Sequence, residues 1–190
     1  GHVNIKAIRD NESWQGQQLV MASNWGSQTS VAETTWLHDG RIATTKTDPA
    51  PDLEEVHPID SAMLRGVTDP FSAMMTMLNR LDAGKSCSGV FQIYDGRRRA
   101  ELSFSDLGIV ELVPDRAFAF DGKAQLCGLV SLPLGGHRRK SRFTSGTPDP
   151  SKTRAYIARL STGLLVPVRI EVDLFFGQIV TQLDMKRSRF

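Results

Sequence analysis

A chain of 190 residues with a 40% apolar share and a formal net charge of +2 carries enough apolar side chain for a packed core, at a size that sheet-rich folds reach as a single unit. This composition excludes a disordered, highly charged chain, and the near-balanced charge makes no whole-molecule demand for a nucleic acid or an anionic membrane as partner. No apolar run reaches the ~18 residues of a spanning helix, each candidate being broken by Arg, Asp or Gly, so the chain is not expected to span a membrane.

Gly1-His2 reads as a remnant of cloning, and no secretion-signal pattern accompanies it, so export is not legible from the first residues. Residues 17–22, 29–38 and 41–47 are rich in Val, Thr and Trp and are predicted to be strands. Asp39-Gly40 between the last two is a tight-hairpin signal, because both central residues of a type I′ turn need positive φ, and the dipeptide recurs at Asp95-Gly96 and Asp121-Gly122. Three hairpins so marked point to an antiparallel sheet. Residues 48–60 hold Pro49, Pro51 and Pro58 among several acids and are predicted to form a surface loop.

A helix is expected to start at Asp69-Pro70, where Asp accepts from the free first-turn amides and Pro is preset for the first helical position. Phe71, Met74, Met75, Leu78 and Leu81 then recur at helical spacing, with Gly84 as the stop, so that face is expected to lie on the sheet. Met77 flanks it. Met74 and Met77 are candidates for an adaptable ligand-facing surface, against the plainer reading of core packing.

Cys87 follows the helix end and Cys127 lies in an apolar strand, residues 124–132. Neither belongs to a Cys-x-x-Cys pair, which makes zinc or thioredoxin-type chemistry a weak reading. Two alternatives stand: a disulfide, or two reduced cysteines buried as small apolar side chains.

Arg97, Arg98 and Arg99 follow a hairpin turn, so Arg97 and Arg99 should project to one side of the strand and Arg98 to the other. An inward Arg can pair with Glu101 or bind an anionic headgroup in a planar, bidentate fashion. Residues 133–150 form a second predicted loop, in which His137-Arg138-Arg139-Lys140 and Arg142 make the densest positive patch, suited to anionic lipid, glycan or a protein partner. Without interleaved aromatics it is poor ground for nucleic-acid binding.

Three more strands are predicted at residues 153–160, 164–174 and 178–184. Val166, Val168, Ile170 and Val172 should face one side and Arg169, Glu171 and Asp173 the other, as in a sheet with one wetted face. Pro167 marks that strand as an edge or as bulged there.

No nucleophile elbow, phosphate-cradling loop or zinc-protease helix is present. His38-Asp39 falls in a turn and His57-Pro58 in the proline-rich loop, while Glu54, Glu55 and Asp60 lack a context that would separate two carboxyl pKa values. The chain is therefore expected to be no enzyme and to need no cofactor or metal.

Asp69-Pro70-Phe71-Ser72-Ala73, Cys87 with Phe91, Tyr94-Asp95-Gly96-Arg97-Arg98-Arg99, Leu126-Cys127, Gly135-Gly136 and Leu165-Val166-Pro167-Val168-Arg169-Ile170 occur in order along about the last two-thirds of the chain. In this the chain resembles a family of exported proteobacterial proteins catalogued as a domain of unknown function, number thirty-one-zero-eight. The resemblance implies a periplasmic β protein with Cys87 and Cys127 paired. It also implies a strongly curved antiparallel sheet, an open barrel or β-spiral similar to the lipoprotein-carrier and lipoprotein-receptor folds, with the amphipathic helix packed on it. The expectation is one β-rich domain over residues 1–190, with room for initial strands of a longer protein before residue 1. Its expected role is non-catalytic, binding an apolar ligand or an envelope partner. The alternatives are a structural or interaction module that meets glycan or protein through the basic loop, and an envelope hydrolase.

Overall fold

The computed structural model describes residues 1–11, 13–139, 149–174 and 176–185. Ten strands and one α-helix are assigned among them: β1 (His2–Asp10), β2 (Ser13–Trp25), β3 (Gln28–Trp36), β4 (Ile42–Asp48), α1 (Pro70–Asp82), β5 (Gly89–Tyr94), β6 (Arg99–Leu112), β7 (Gly122–Gly135), β8 (Thr153–Arg159), β9 (Leu165–Leu174) and β10 (Gly177–Gln182). A short 3-10 turn, Ser61–Leu64, precedes the helix. As the sequence predicts, the protein is mainly β and antiparallel with one α-helix. Its strands fall into two open sheets, ordered β1-β2-β3-β4 and β10-β9-β8-β7-β6-β5.

The chain forms two compact units, neither continuous in sequence. Unit 1 holds the described residues of Gly1–Asn79, Val90–Leu102 and Ser131–Thr147, and unit 2 those of Arg80–Gly89, Ser103–Val130 and Pro148–Phe190.

In unit 1 the four-stranded sheet includes β1, a strand without a counterpart among the predicted elements. It pairs with β2 over its whole length, His2↔Ala22 to Asp10↔Ser13. Its side chains are nearly all exposed, which is why no clean alternation marks it. The Asp39-Gly40 turn does join β3 to β4, but Gly40 (φ +78°) and not Asp39 takes the positive dihedral. Leu37 donates its amide to the Arg41 carbonyl at 2.8 Å, and the register slips by one at Trp36, so the connection is a bulged, longer turn and not a two-residue type I′ one. Gly96 (φ +92°) turns the Asp95-Gly96 corner in the same way. Asp121-Gly122 is no turn: it opens β7 after the connection of residues 113–121.

Asp69 caps the helix as predicted, its Oδ1 accepting the amides of Phe71 and Ser72 at 2.9 Å each. The C-terminal stop also forms, with Gly84 at φ +74°, its amide on the Leu81 carbonyl and that of Lys85 on Arg80. The buried face is a different one from the face the spacing suggests. Ser72, Ala73 and Met77 are buried, whereas Phe71 and Met75 are exposed by 38% and 41%. The small Ala73 sits against Ile93 and Ala100, with Phe91 and Leu102 around them, where a larger side chain would hold the helix off the strands.

In unit 2, Ala124, Ala158, Leu160 and Val168 form the core, flanked by Leu112, Phe120 and Val166. Cys87 and Cys127 are joined in a disulfide, and both are fully buried. Strand β9 lies between β8 and β10, so it is not an edge strand, although β10 pairs only from Arg169 onward; the bulge that the sequence offered as the alternative is present at Pro167. Pro167 pairs with Ile157 and Arg169 with Tyr156, leaving Val168 as the extra residue. One consequence overturns the predicted alternation. Directly paired residues share a face, so Val166 lies on the side of Ala158, together with Arg169 and Glu171, while Ile170 and Val172 take the opposite side with Ala155 and Thr153.

Candidate functional site

Three segments far apart in the sequence meet within unit 1. The first is the hairpin between β5 and β6. Asp95 Oδ1 accepts the amides of Arg97 and Arg98 at 2.9 and 2.6 Å, an Asx turn that fixes the corner. The Arg97 guanidinium Nη2 then donates to the carbonyls of Val31, Asp48 and Pro49 at 3.0–3.1 Å, which ties the hairpin to β3 and to the end of β4.

The second segment is the proline-rich loop and the third is the end of β7. They run together as a short antiparallel ladder: His57 donates its amide to the His137 carbonyl at 2.9 Å, Gly136 to His57 at 2.8 Å, and Arg139 to Glu55 at 2.9 Å. The rings of His57 and His137 stack with centroids 4.3 Å apart. Burial, and then the neighbouring His57, hold the His137 imidazole below its ordinary pKa. What brings this ladder onto the hairpin is Gly136. A β-carbon there would lie 1.9 Å from the Arg97 carbonyl oxygen, and the backbone stands at φ +74°, so only glycine fits.

Between the three segments is a cleft of about 860 Å³. Val56, Ile93, Ala100 and Pro133 give it apolar walls; Arg97, Arg98, Arg99 and Arg138 give it cations; Asp52, Glu55 and Asp95 are its carboxylates. The two basic runs singled out in the sequence thus share one site. Arg98 is exposed and makes a loose contact of 3.6 Å with Asp95. Arg99 is buried, and its Nε donates to the Met63 carbonyl at 2.8 Å. Its Nη atoms donate to the carbonyls of Ile93 and Ala100 and to Gln92 Oε1. The expected Arg–Glu101 pair is therefore indirect: Gln92 stands between, donating to Glu101 Oε2 at 2.8 Å.

Other predicted positions are placed elsewhere. Arg139 is exposed, its Nε committed to the Val56 carbonyl at 3.0 Å. Lys140 and Arg142 lie outside the described residues. Met77 is buried, Met74 is half-buried, and neither lines the cleft. Asp60 caps the 3-10 turn, its side chain accepting the Ala62 amide, and Asp52 Oδ1 accepts the Glu54 amide at 2.9 Å. His38 sits exposed in the β3–β4 turn. Among the described residues no group of three or more His, Cys, Asp or Glu is placed to hold a metal ion.

The model of the family described as "Protein of unknown function (DUF3108)" matches residues 4–184. The chain belongs to the DUF3108 family. The match starts inside β1, so the N-terminal sheet, to which the resemblance from Asp69 onward did not reach, is part of the DUF3108 domain. No curated protein and no solved structure matches the chain.

A second polar constellation of this DUF3108 domain gathers Arg169, Glu171 and Asp173, which the sequence places on one side of their strand, with Arg154 and Tyr156, which it does not single out. On one face of β8 and β9 in unit 2, Arg154 donates to Glu171 Oε2 at 2.9 Å and to both Asp173 oxygens at 2.9 and 3.1 Å. Arg169 and the Tyr156 hydroxyl complete the shell of Glu171 at 2.6 and 2.9 Å. Glu171 is only 6% exposed, so the side predicted to be wetted carries a buried ion-pair network at this point. Burial pushes the Glu171 carboxyl up, but the Tyr156, Arg154 and Arg169 donors outweigh it and hold the pKa below the ordinary carboxylate value. Every member has its partner, which marks the network as structural.

Proposed function

We propose that the protein is a non-catalytic, exported binding protein of the bacterial cell envelope that takes an apolar ligand into the unit 1 cleft. The observation that carries this reading is the cleft itself: about 860 Å³, with apolar walls at Val56, Ile93, Ala100 and Pro133 beside four guanidinium groups and three carboxylates. That volume falls in the range of about 300–1,000 Å³ that small-molecule sites occupy. The Cys87–Cys127 disulfide supports an oxidising compartment such as the periplasm, since cytosolic thiols are kept reduced. No helix among the described residues is long and apolar enough to cross a membrane. The commitment of Arg139 to a backbone carbonyl weakens the rival reading, in which the basic loop is a glycan-binding patch.

The test is binding of an environment-sensitive naphthylamine probe, together with mass spectrometry of an organic extract of the purified protein. Ser131 is exposed and lines the cleft, so Ser131→Trp should fill it without entering the core. Probe enhancement in the wild type and its loss in Ser131→Trp, with an unchanged thermal melt, are expected. A wild type that neither enhances the probe nor yields a co-extracted lipid would refute the reading.

A further inference from the structure

Arg99 is a buried cation that makes no direct ion pair: the nearest acid of its own strand, Glu101, is reached only through Gln92. Arg99 is only 6% exposed, yet its hydrogen bonds go to three carbonyls and an amide oxygen, all neutral. Carbonyl dipoles solvate a guanidinium but do not cancel its charge, and buried charges in proteins are normally paired. Among the described residues no carboxylate lies within ion-pair distance of Arg99 or of Arg138. Arg97 is likewise held by carbonyls. Asp95, the nearest acid to Arg98, already serves two backbone amides, and its contact with Arg98 is long and largely solvated. The four guanidinium groups of the cleft thus exceed the three carboxylates that line it.

We infer that the cleft's ligand carries a phosphate-type anion, received by the exposed Arg98 and Arg138 over the buried charge of Arg99. This rests on the apolar-ligand reading above and adds the chemistry of the ligand's polar end. Four of the five guanidinium hydrogens of Arg99 are committed, one to each neutral acceptor, so Arg99 acts mainly through its field. Arg98 and Arg138 have free planar donor forks of the kind that match two phosphate oxygens. Such an anion is either the headgroup of a lipid or a free phosphate compound.

Displacement of the apolar probe by amphiphiles that share one alkyl chain separates the headgroup from the tail. Dodecyl phosphate, below its micelle concentration, should displace the probe at a concentration tenfold or more lower than dodecyl maltoside does. In R98Q/R138Q, both changes being at exposed positions, the ratio should fall to within about twofold, as expected when two charge-assisted contacts are removed. Inorganic phosphate, titrated calorimetrically, supplies the other arm: binding to the wild type and not to R98Q/R138Q supports a free phosphate compound as the source. The inference is overturned if the two amphiphiles displace the probe equally and inorganic phosphate binds neither form, or if R98Q/R138Q keeps the wild-type preference. A probe that never binds sinks the apolar-ligand reading alone, because the phosphate titration still decides the anion site.

Discussion

Replacing both cysteines, Cys87→Ala with Cys127→Ala, should weaken unit 2 by an amount set mainly by the length of chain the bridge closes. The two residues are 40 apart in sequence and both belong to unit 2. On the chain-entropy account, a loop of this length removes about 4 kcal/mol of freedom from the unfolded chain. Both sulfur positions have no exposed area, so truncation to Ala adds a small void at a cost of about 1 kcal/mol. With a urea dependence of about 2 kcal/mol/M, the midpoint should fall by about 2.5 M. All three tryptophans lie in unit 1, so their fluorescence follows that unit; the shift is to be read from far-UV ellipticity, which follows both. A midpoint change below about 0.5 M would refute the chain-entropy reasoning. So would a thiol titration of the denatured, unreduced protein that finds both sulfurs free.

Gly136→Ala sets a methyl group 1.9 Å from the Arg97 carbonyl oxygen at a positive φ, and should cost more than about 2 kcal/mol while abolishing probe binding. Urea titration followed by tryptophan fluorescence, beside the probe assay, checks this, and wild-type values in both would contradict the close approach. The carboxyl groups of Glu171 and Asp173 have folded pKa values below their ordinary ones. Their contribution to stability is therefore full above the ordinary carboxylate range and is lost as pH falls through the lowered values, below about pH 4. Glu171→Gln should cost about 3 kcal/mol near neutrality and flatten this acid limb, and equal acid losses in the variant and the wild type, measured as urea midpoints between about pH 3 and 7, would contradict the linkage.

The helix was readable because its ends are local chemistry: Asp69 at the cap, Pro70 in the first turn and Gly84 at the stop act over a few residues. Its orientation was not. Spacing identifies large apolar residues, but the contact with β5 and β6 selects small ones, and Ala73 took the place expected of Phe71 and Met75. The same limit governs the site. Arg97 to Arg99 and Arg138 stand out as cations in the sequence, but their convergence depends on Gly136 passing the Arg97 carbonyl and on a ladder between residues 55–57 and 136–139. Such long-range pairings leave no periodic trace. The apolar walls at Val56, Ile93 and Ala100 come from the proline-rich loop and from the two strands of the hairpin, so no single run of residues displays them together.

The odd residue in β9 acts as a phase shifter. Had the strand run on from Pro167 as a regular ladder, Arg169 would fall opposite Ala155 instead of Tyr156, and Glu171 and Asp173 would follow it to the face of Ala155 and Ile157, which have almost no accessible area. Slippage by a single position is thus self-penalising, since it would strand three ionised groups in an apolar layer. Misaligned pairings of these two strands are screened out by charge as strictly as by oiliness, and the proline that opens the step donates no amide that a neighbouring strand would miss.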